Sequence, residues 1–346
     1  MTLNRMYMNE VCRASRFLMV RAILLLDVLL WWACGDSGSL ITRSSGKPYE
    51  VVIMSDDTAA VNFVRDCLEI PVEGLPQEEP AFDVWVVDRE VRNVETTTKR
   101  MSTYGAQEGA ESRGARAIVK VVFNSHQRTG SPIHISYQRN VEVQPQIVVT
   151  LTAESVEQLR REKQRWEAPL RQLLTNFEQR ATIALLRQHY NKQMSDTLQS
   201  LFGVKLLVPP DMLSAHYEMD FVWLSNNATT GMQNICVFKG TSIDSVIGKY
   251  IKGETDEMHM RLVENRDPID MDRVSRAEKK KPKANLIRGL WEMEGDAMGG
   301  PYVARFFTDS ITHQTTTVMA FVYSPETKKR NMIRKLEAVL RDASSE

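Results

Sequence analysis

The residues that most often carry chemistry are scattered along this chain. Its six histidines include no i, i+4 pair that would place two imidazoles on one helix face to bind a metal ion. The glycine-rich phosphate loops, the G-x-S-x-G nucleophile elbow and the H-E-x-x-H zinc motif do not occur in the sequence. A catalytic triad can still assemble from distant residues, so catalysis stays open. The sequence therefore names no catalytic residue, metal ligand or cofactor site.

Two charged segments have the composition of a binding site without its spacing. Asp267, Asp270 and Asp272 offer oxygens of the kind that calcium prefers, but they are not spaced as in a known calcium loop. The basic run at residues 279–283 could contact anionic lipid headgroups. We interpret both segments as solvated loops.

One stretch near the N-terminus does predict a chemical modification. Residues 20–34 read VRAILLLDVLLWWAC, which is a basic flank, an apolar run and a small residue before Cys34. The apolar part, residues 22–33, is shorter than the ~20 residues that a helix needs to cross a bilayer, and it fits the core of an export signal. This order of parts resembles a bacterial lipoprotein signal. The sequence therefore predicts that residues 1–33 are removed and that Cys34 carries lipid.

Two features of this segment depart from a typical lipoprotein signal. Trp31 and Trp32 occupy positions where such signals carry a Leu-like and a small residue, and Asp27 places a carboxylate in the apolar core, where it is costly to bury. An uncleaved membrane anchor and a buried N-terminal helix are the alternatives. The true start could be Met1 or Met19. The basic residues before the run favour the lipoprotein signal.

Composition and charge describe an ordinary globular protein. Lys+Arg and Asp+Glu both number 44, so the formal net charge is zero, which argues against a nucleic-acid binder. The 42% of hydrophobic residues argue against disorder. Cys12 would leave with the signal, so Cys67 and Cys236 remain beside the lipidated Cys34. Export would permit a disulfide between them, but the helical pattern at Cys67 and the strand pattern at Cys236 favour two buried free thiols.

Hydrophobic periodicity predicts an α+β fold with mostly antiparallel strands. Apolar runs of strand length occur early and late in the chain, and a helical pattern joins them at residues 153–202. We therefore expect two sheet-and-helix halves joined by a long helical segment. The expected divisions are a signal peptide at residues 1–33, a flexible tether at 34–47, an N-terminal half at 48–202 and a C-terminal half at 203–346.

Cap and turn residues locate the helix ends within this pattern. Asp57, or its neighbour Asp56, can cap the first helix. In the long helical segment, Pro169 suits the first turn of a second helix, and Gly203 is a natural stop. The last helix is predicted to follow Ser324 as its N-cap, with a proline at its first position.

Several short motifs resemble an uncharacterised lipoprotein family. The sequence motifs are RGLW at residues 288–291, GDAMGGP at 295–301, FVYSP at 321–325, KPYEVV at 47–52 and PVEGLPQ at 71–77. With them the chain is similar to the domain of unknown function 4837 family of Bacteroidetes-type bacteria, over roughly residues 45–345. The motifs are turns, a strand tryptophan and a helix cap. The resemblance therefore implies an envelope lipoprotein, and it supplies no activity, substrate or catalytic residue.

The resemblance also implies a second modification. Exported proteins of such bacteria carry O-glycans where Asp precedes Ser or Thr and an apolar residue follows. Thr58 lies between Asp57 and Ala59 and is the best candidate among the matches to this loose pattern. Sites on packed helices would be shielded from modification.

These patterns together predict an exported, lipid-anchored protein of the cell envelope, on the periplasmic face or the cell surface. We expect a non-catalytic binding or assembly protein that contacts the membrane through its lipid and also contacts an unknown envelope protein or ligand, without a cofactor. A hydrolase acting on an envelope polymer is the alternative. Such an enzyme would show a cleft with a carboxylate pair or with a Ser or His cluster of perturbed pKa.

Replacement of Cys34 by alanine tests the predicted modification. We expect mass spectrometry of the wild-type protein to find a lipid-bearing Cys34 as the first residue, and fractionation to recover the protein with membranes. The Cys34→Ala variant should stay unprocessed or leave the membrane fraction, because it lacks the thiol that is acylated. An intact, internal Cys34 in the wild type would contradict the lipoprotein interpretation.

Overall fold

A computed structural model describes residues 42–86, 114–124, 132–255, 257–263 and 286–345 of the chain. The chain divides into two compact units, Met1–Thr42 and Arg43–Glu346, and the second contains the two large sheets. Several predictions lie outside the described residues. They are the signal with Cys34, the aspartates at 267–272 and the basic run at 279–283.

The described residues form six helices and sixteen mostly antiparallel strands, so the fold is α+β as the sequence predicts. The helices are α1 (Thr58–Leu68), α2 (Val156–Arg161), α3 (Lys163–Gln188), α4 (Lys192–Phe202), α5 (Ile243–Tyr250) and α6 (Arg330–Asp342). The strands are β1 (Thr42–Arg43), β2 (Glu50–Met54), β3 (Asp83–Val86), β4 (Ala117–Phe123), β5 (His134–Arg139), β6 (Val143–Gln144), β7 (Ile147–Ala153), β8 (Val204–Lys205), β9 (Ser214–Glu218), β10 (Phe221–Ser225), β11 (Met232–Lys239), β12 (Met260–Leu262), β13 (Leu286–Met293), β14 (Gly299–Thr308), β15 (Thr315–Tyr323) and β16 (Ser344–Ser345). None of these described helices has the length and apolar content to cross a bilayer.

The N-terminal sheet has five strands in the order β3-β2-β4-β7-β5. Its first four strands are parallel, and β5 runs antiparallel to β7. Helices α1, α2 and α3 pack on one face, where Ile53, Val119 and Val149 are buried. Parallel strands are usually buried on both faces, and the nearly continuous apolar runs of β2 and β7 are the sequence sign of this arrangement. The N-terminal sheet is thus a local exception to the mostly antiparallel fold.

The C-terminal sheet has seven antiparallel strands in the order β12-β13-β14-β15-β11-β10-β9. It contains the β13-β14-β15 meander that the sequence predicts. Helices α4 and α6 pack on one face and α5 on the other. Helix α3 contributes Leu170 and Leu174 to the N-terminal core and Ile183 and Leu186 to the C-terminal core, so it joins the two sheets. The expected division of the chain at residue 203 stays a prediction.

Gly300 permits a close contact inside the C-terminal sheet. A Cβ atom at this position would overlap the carbonyl oxygen of Val322. The indole N–H of Trp291 donates to the same oxygen at 3.3 Å, and the Trp291 ring is buried. The RGLW and GDAMGGP motifs therefore place Trp291 in contact with β15.

The long helical segment is divided differently from the prediction. Pro169 lies inside α3 and does not mark the first turn of a helix. The reason is Trp166, which is buried and donates its indole N–H to the carbonyl oxygen of Leu159 at 2.9 Å. This contact fixes a helical turn before the proline. Gly203 ends α4 with a φ of 67°, as the sequence predicts.

The predicted start of the last helix is wrong, because α6 begins at Arg330. The hydroxyl of Ser324 is hydrogen-bonded to the hydroxyl of Thr327 and does not cap a helix. Glu326 has a φ of 63°, a left-handed conformation that a helix cannot contain. The segment between Ser324 and Arg330 is therefore a turn.

Helix α6 receives its cap from a distant loop. The carboxylate of Glu79 accepts hydrogen bonds from the backbone N–H groups of Lys329 at 2.6 Å and Arg330 at 3.0 Å, and Glu79 is buried. A carboxylate at this end of a helix satisfies unpaired N–H groups and interacts favourably with the helix dipole. The cap ties the loop after α1 to α6.

The two remaining cysteines are free and buried, as the sequence predicts. Cys67 lies in α1 and Cys236 in β11. Burial raises the pKa of Cys67 to about 11 and raises that of Cys236 further. Both thiols are therefore protonated at neutral pH.

Replacement of Glu79 by alanine should reduce the free energy of unfolding by about 1 to 2 kcal/mol, because two buried backbone N–H groups lose their acceptor. Urea denaturation at neutral pH measures the change. Glu78→Ala, at the exposed neighbouring position, is the matched control and should change stability by less than about 0.5 kcal/mol. Equal losses in the two variants would contradict the capping role.

Candidate functional site

A cavity of about 250 Å³ lies between the loop that follows α1, helices α3 and α6, and strands β13 and β14. Apolar side chains such as Ile70 and Ile333 form much of its wall. Three arginines also line it, Arg171 from α3, Arg288 from β13 and Arg334 from α6. An apolar pocket with a few convergent polar groups is typical of a small-molecule site.

Two local features bring the arginines together. Arg334 and Glu337 are three residues apart on α6, so both side chains lie on one helix face. Gly74 has a φ of 81°, and a Cβ atom there would lie 3.8 Å from the Cβ atom of Arg288. The glycine lets the loop turn close to β13 and close the cavity on that side.

The carboxylate of Glu337 is buried at the cavity wall and is surrounded by positive charge. Arg288 donates to its Oε1 atom, Arg341 Nε donates to the same oxygen at 2.8 Å, and Gln179 Nε2 donates at 3.3 Å. Burial alone would raise the pKa of Glu337, but the charges of Arg288 and Arg341 lower it to about 2. Glu337 is therefore ionised at neutral pH.

Arg334 is held without a carboxylate hydrogen bond among the described residues. One of its N–H groups donates to the carbonyl oxygen of Ala81 at 3.0 Å. Its guanidinium lies over the ring of Tyr49 at 4.4 Å and near that of Phe82 at 5.7 Å. Burial lowers the pKa of Arg334, because the charged form has lost part of its hydration. The charge of Glu337, which Arg288 and Arg341 share, acts on Arg334 as well. Together with an aromatic face and a carbonyl group, it offsets the charge of Arg334 only in part.

A second buried ion pair lies behind Tyr49. Arg116 Nε donates to both oxygens of Glu178, at 2.8 and 2.9 Å. Burial raises the pKa of Glu178, and Arg116 opposes the shift. The backbone of Tyr49 is left-handed, with a φ of 66°. Its N–H group donates to Glu178, and its carbonyl oxygen accepts from the N–H group of Asp83 at 2.9 Å. These bonds hold the ring that supports Arg334.

A second, polar cleft of about 470 Å³ lies beside α5 and β12. His259 in this cleft contacts Glu294 through Nε2 at 3.2 Å and the carbonyl oxygen of Glu257 through Nδ1 at 2.9 Å. Arg261 is paired with Glu292 at 2.6 Å. His259 and Arg261 of this cleft thus each have a carboxylate partner. Within the part of the chain that the structure describes, no cluster of three or more His, Cys, Asp or Glu side chains could hold a metal ion.

The structure places one of the two predicted modification sites. Thr58 is exposed at the first position of α1, next to Asp57, whose side chain caps the helix by accepting from the N–H of Ala60 at 2.9 Å. Ser310, in another match to the same pattern, lies in the exposed turn between β14 and β15. Cys34 lies outside the described residues, and both modifications stay predictions.

Sequence analysis missed the cavity. Arg171, Arg288 and Arg334 come from three separate elements and form no motif. A weak signal was present, because Glu337 stands beside Leu336 in the otherwise apolar face of the last helix. A charged residue in such a face needs a buried partner, but the sequence does not say which one.

The free energy of unfolding should depend on pH through Glu337. Its folded pKa of about 2 lies below the ordinary value of 4.5, so the ionised carboxylate stabilises the fold above pH 4.5 and this contribution is lost as the pH falls toward 2. The shift corresponds to about 3 kcal/mol. Glu337→Gln should lower stability at pH 7 and flatten this part of the profile in urea denaturation.

Glu78→Gln, at an exposed position, is the control for this pH experiment and should leave the acid limb of the profile unchanged. Identical profiles for the wild type and Glu337→Gln would show that Glu337 has an ordinary pKa in the fold.

Comparison with known proteins gives little beyond matches to two uncharacterised domain families. None of the curated proteins matches this chain. A crystal structure from Bacteroides thetaiotaomicron VPI-5482, determined at 1.50 Å resolution, is similar over 42% of this chain and 45% of that one, with 14% identity and a TM-score of 0.20. The chain thus spans less than half the length of that structure, and this similarity supports no argument about fold or function.

Two family models match successive parts of the chain. Residues 44–187 match a domain of unknown function, DUF8532, and residues 191–342 match the domain of unknown function DUF4837. The expected resemblance over residues 45–345 was therefore too broad, because the KPYEVV and PVEGLPQ motifs fall in the first match. Those motifs are a strand start and a turn-rich loop, which unrelated families can share. The resemblance to the domain of unknown function 4837 family is confirmed over residues 191–342.

Proposed function

We propose that this protein is a lipid-anchored protein of the cell envelope that binds an anionic ligand in the cavity between its two sheets. The observation that carries ligand binding is the guanidinium of Arg334, which lines the cavity and has no carboxylate hydrogen bond among the described residues. The signal-like sequence that ends at Cys34 supports the anchor and a place on the periplasmic face or the cell surface.

The charges around the cavity favour an anion. Arg171 is paired with Glu167 at 2.6 Å, and Arg288 is paired with Glu337. The charge of Arg334 is left over after these pairs are formed. An arginine presents several N–H groups in a fixed plane, which suits the two oxygens of a carboxylate or phosphate group. Partial removal of water strengthens such an interaction.

The walls and the volume restrict the rest of the ligand. A cavity of about 250 Å³ lies just below the ~300–1,000 Å³ that is usual for ligand pockets, so the ligand or the part of it that enters is small. Ile70 and Val72, which are half-buried, offer apolar surface beside the arginines. The ligand that fits best carries one carboxylate or phosphate group next to a short apolar portion.

Thermal unfolding of the full-length protein in detergent, with acetate or inorganic phosphate added at constant ionic strength, tests this proposal. We expect at least one of the two anions to stabilise the wild type saturably, by about 1.4 kcal/mol at roughly ten times its Kd. Arg334→Met should abolish the stabilisation, because it keeps an apolar side chain on the Tyr49 ring and removes the charge.

Arg180→Met is the matched control, since Arg180 is an exposed arginine of α3 outside the cavity, and this variant should respond as the wild type does. The proposal fails if neither anion stabilises the wild type, or if Arg334→Met retains the full response.

A further inference from the structure

The two edges of the C-terminal sheet differ in character. At one edge, β12 has three residues, and Arg261 in its centre is paired with Glu292. At the other edge, β9 has five residues and pairs with β10 on its inner side. Natural proteins protect sheet edges by shortness or charge, because an open edge presents unpaired backbone groups to other chains. The β12 edge is protected in this way, because it is short and carries a paired charge. The β9 edge is longer and offers more backbone groups to another strand.

The hairpin geometry shows which residues of β9 face the open edge. Glu218 and Phe221 are paired across a loop of two residues. Residues that flank such a loop exchange backbone hydrogen bonds, and the direction of bonding alternates along the strand. Glu218 and His216 therefore direct their N–H and C=O groups at β10. Ala215 and Tyr217 direct theirs outward, where another strand could accept them.

Large apolar side chains are exposed at this edge. Leu213 is 77% exposed, Tyr217 47% and Met219 94%. All three lie at or beside β9, within seven consecutive residues. Clustered apolar exposure of this kind marks an interaction surface, whereas single exposed side chains do not.

We propose that β9 pairs antiparallel with β9 of a second copy of this chain, about a two-fold axis at Tyr217. In this register Tyr217 faces the partner's Tyr217, and Ala215 faces the partner's Met219. The Tyr217 pair uses the outward-directed backbone groups of both strands, and Met219 lies in the turn that follows β9. The register also buries the exposed side chains of Tyr217 and Met219 against the partner on one face of the joined sheets.

On the other face of the strand pair, an imidazole and a carboxylate can meet across the axis. His216 and Glu218 point to the same side and lie 3.3 Å apart, with side chains 56% and 45% exposed. The two-fold axis places His216 opposite the partner's Glu218, and Glu218 opposite the partner's His216. Ala215 is the other outward-directed residue. An axis there would set His216 opposite the partner's Ser214, and the two His216–Glu218 pairs between the copies would not form. The match of a hydrogen-bonding imidazole with a carboxylate at both ends of the axis therefore selects the axis at Tyr217.

This dimer is independent of the proposed ligand site. The strand β9 shares no residue with the cavity lining, which comes from α3, α6, β13, β14 and the loop after α1. The pairing would join two seven-stranded sheets edge to edge. Failure of the ligand experiment would leave this inference intact, and the reverse also holds.

Sedimentation velocity of the full-length protein in excess detergent tests the dimer. We expect the wild type to dimerise reversibly. His216→Glu alone should weaken dimerisation by roughly tenfold or more, because it sets two carboxylates opposite each other at both ends of the axis. Combining His216→Glu with Glu218→Lys should restore dimerisation. In the double variant, the new carboxylate at position 216 faces the new ammonium group at position 218 of the partner.

Cysteine crosslinking checks the register. Paired residues that exchange backbone bonds have Cα atoms about 5.5 Å apart, which a disulfide can span. Tyr217→Cys should therefore form a disulfide-linked dimer under mild oxidation, whereas Ile311→Cys, at an 87% exposed turn position, should not. Cys67 and Cys236 are buried, and Cys12 and Cys34 are common to both variants, so a difference between the variants reports the introduced thiol.

The inference is overturned if the wild type sediments as a monomer at every concentration, if the double charge exchange fails to restore the dimer, or if Tyr217→Cys crosslinks no better than Ile311→Cys.

Discussion

The burial of one ionised carboxylate, that of Glu337, is the constraint on which the junction of the two sheets depends. An isolated charge in a protein interior costs several kcal/mol, so the fold must bring compensating groups to it. Arg288 comes from β13, Arg341 from α6 and Gln179 from α3. The helices and the sheet are therefore held at a fixed spacing. Positive groups outnumber carboxylates there, and the surplus lies on Arg334, the residue to which our proposal assigns an anion.

The opposite wall of the cavity is fixed by a separate set of contacts. Glu79 caps α6, and the Arg330 side chain, which is 2% exposed, donates to the carbonyl oxygen of Pro80 at 2.7 Å and to Asp83 at 2.5 Å. These contacts tie the loop after α1 to the first turn of α6. Arg334, on the next turn, is thereby held before any ligand arrives. A site organised in advance loses less conformational entropy on binding.

The parts of the fold that the sequence predicts are those decided by neighbouring residues. The cap at Asp57, the stop at Gly203 and the β13-β14-β15 meander each follow from local hydrogen bonding, backbone freedom or hydrophobic alternation. The parts that sequence analysis missed depend on residues far apart in the chain. Glu79 and Lys329, 250 positions apart, decide where α6 begins. The cavity likewise requires three arginines from three elements, and no local pattern connects them.

The central claim is that the cavity between the sheets holds an anion beside Arg334. The most direct test is an anomalous difference map from crystals of the protein soaked in selenate, a tetrahedral anion that scatters anomalously. We expect a peak inside the cavity, about 3 Å from the guanidinium nitrogens of Arg334. Peaks confined to exposed arginines such as Arg180, with none in the cavity, would contradict it.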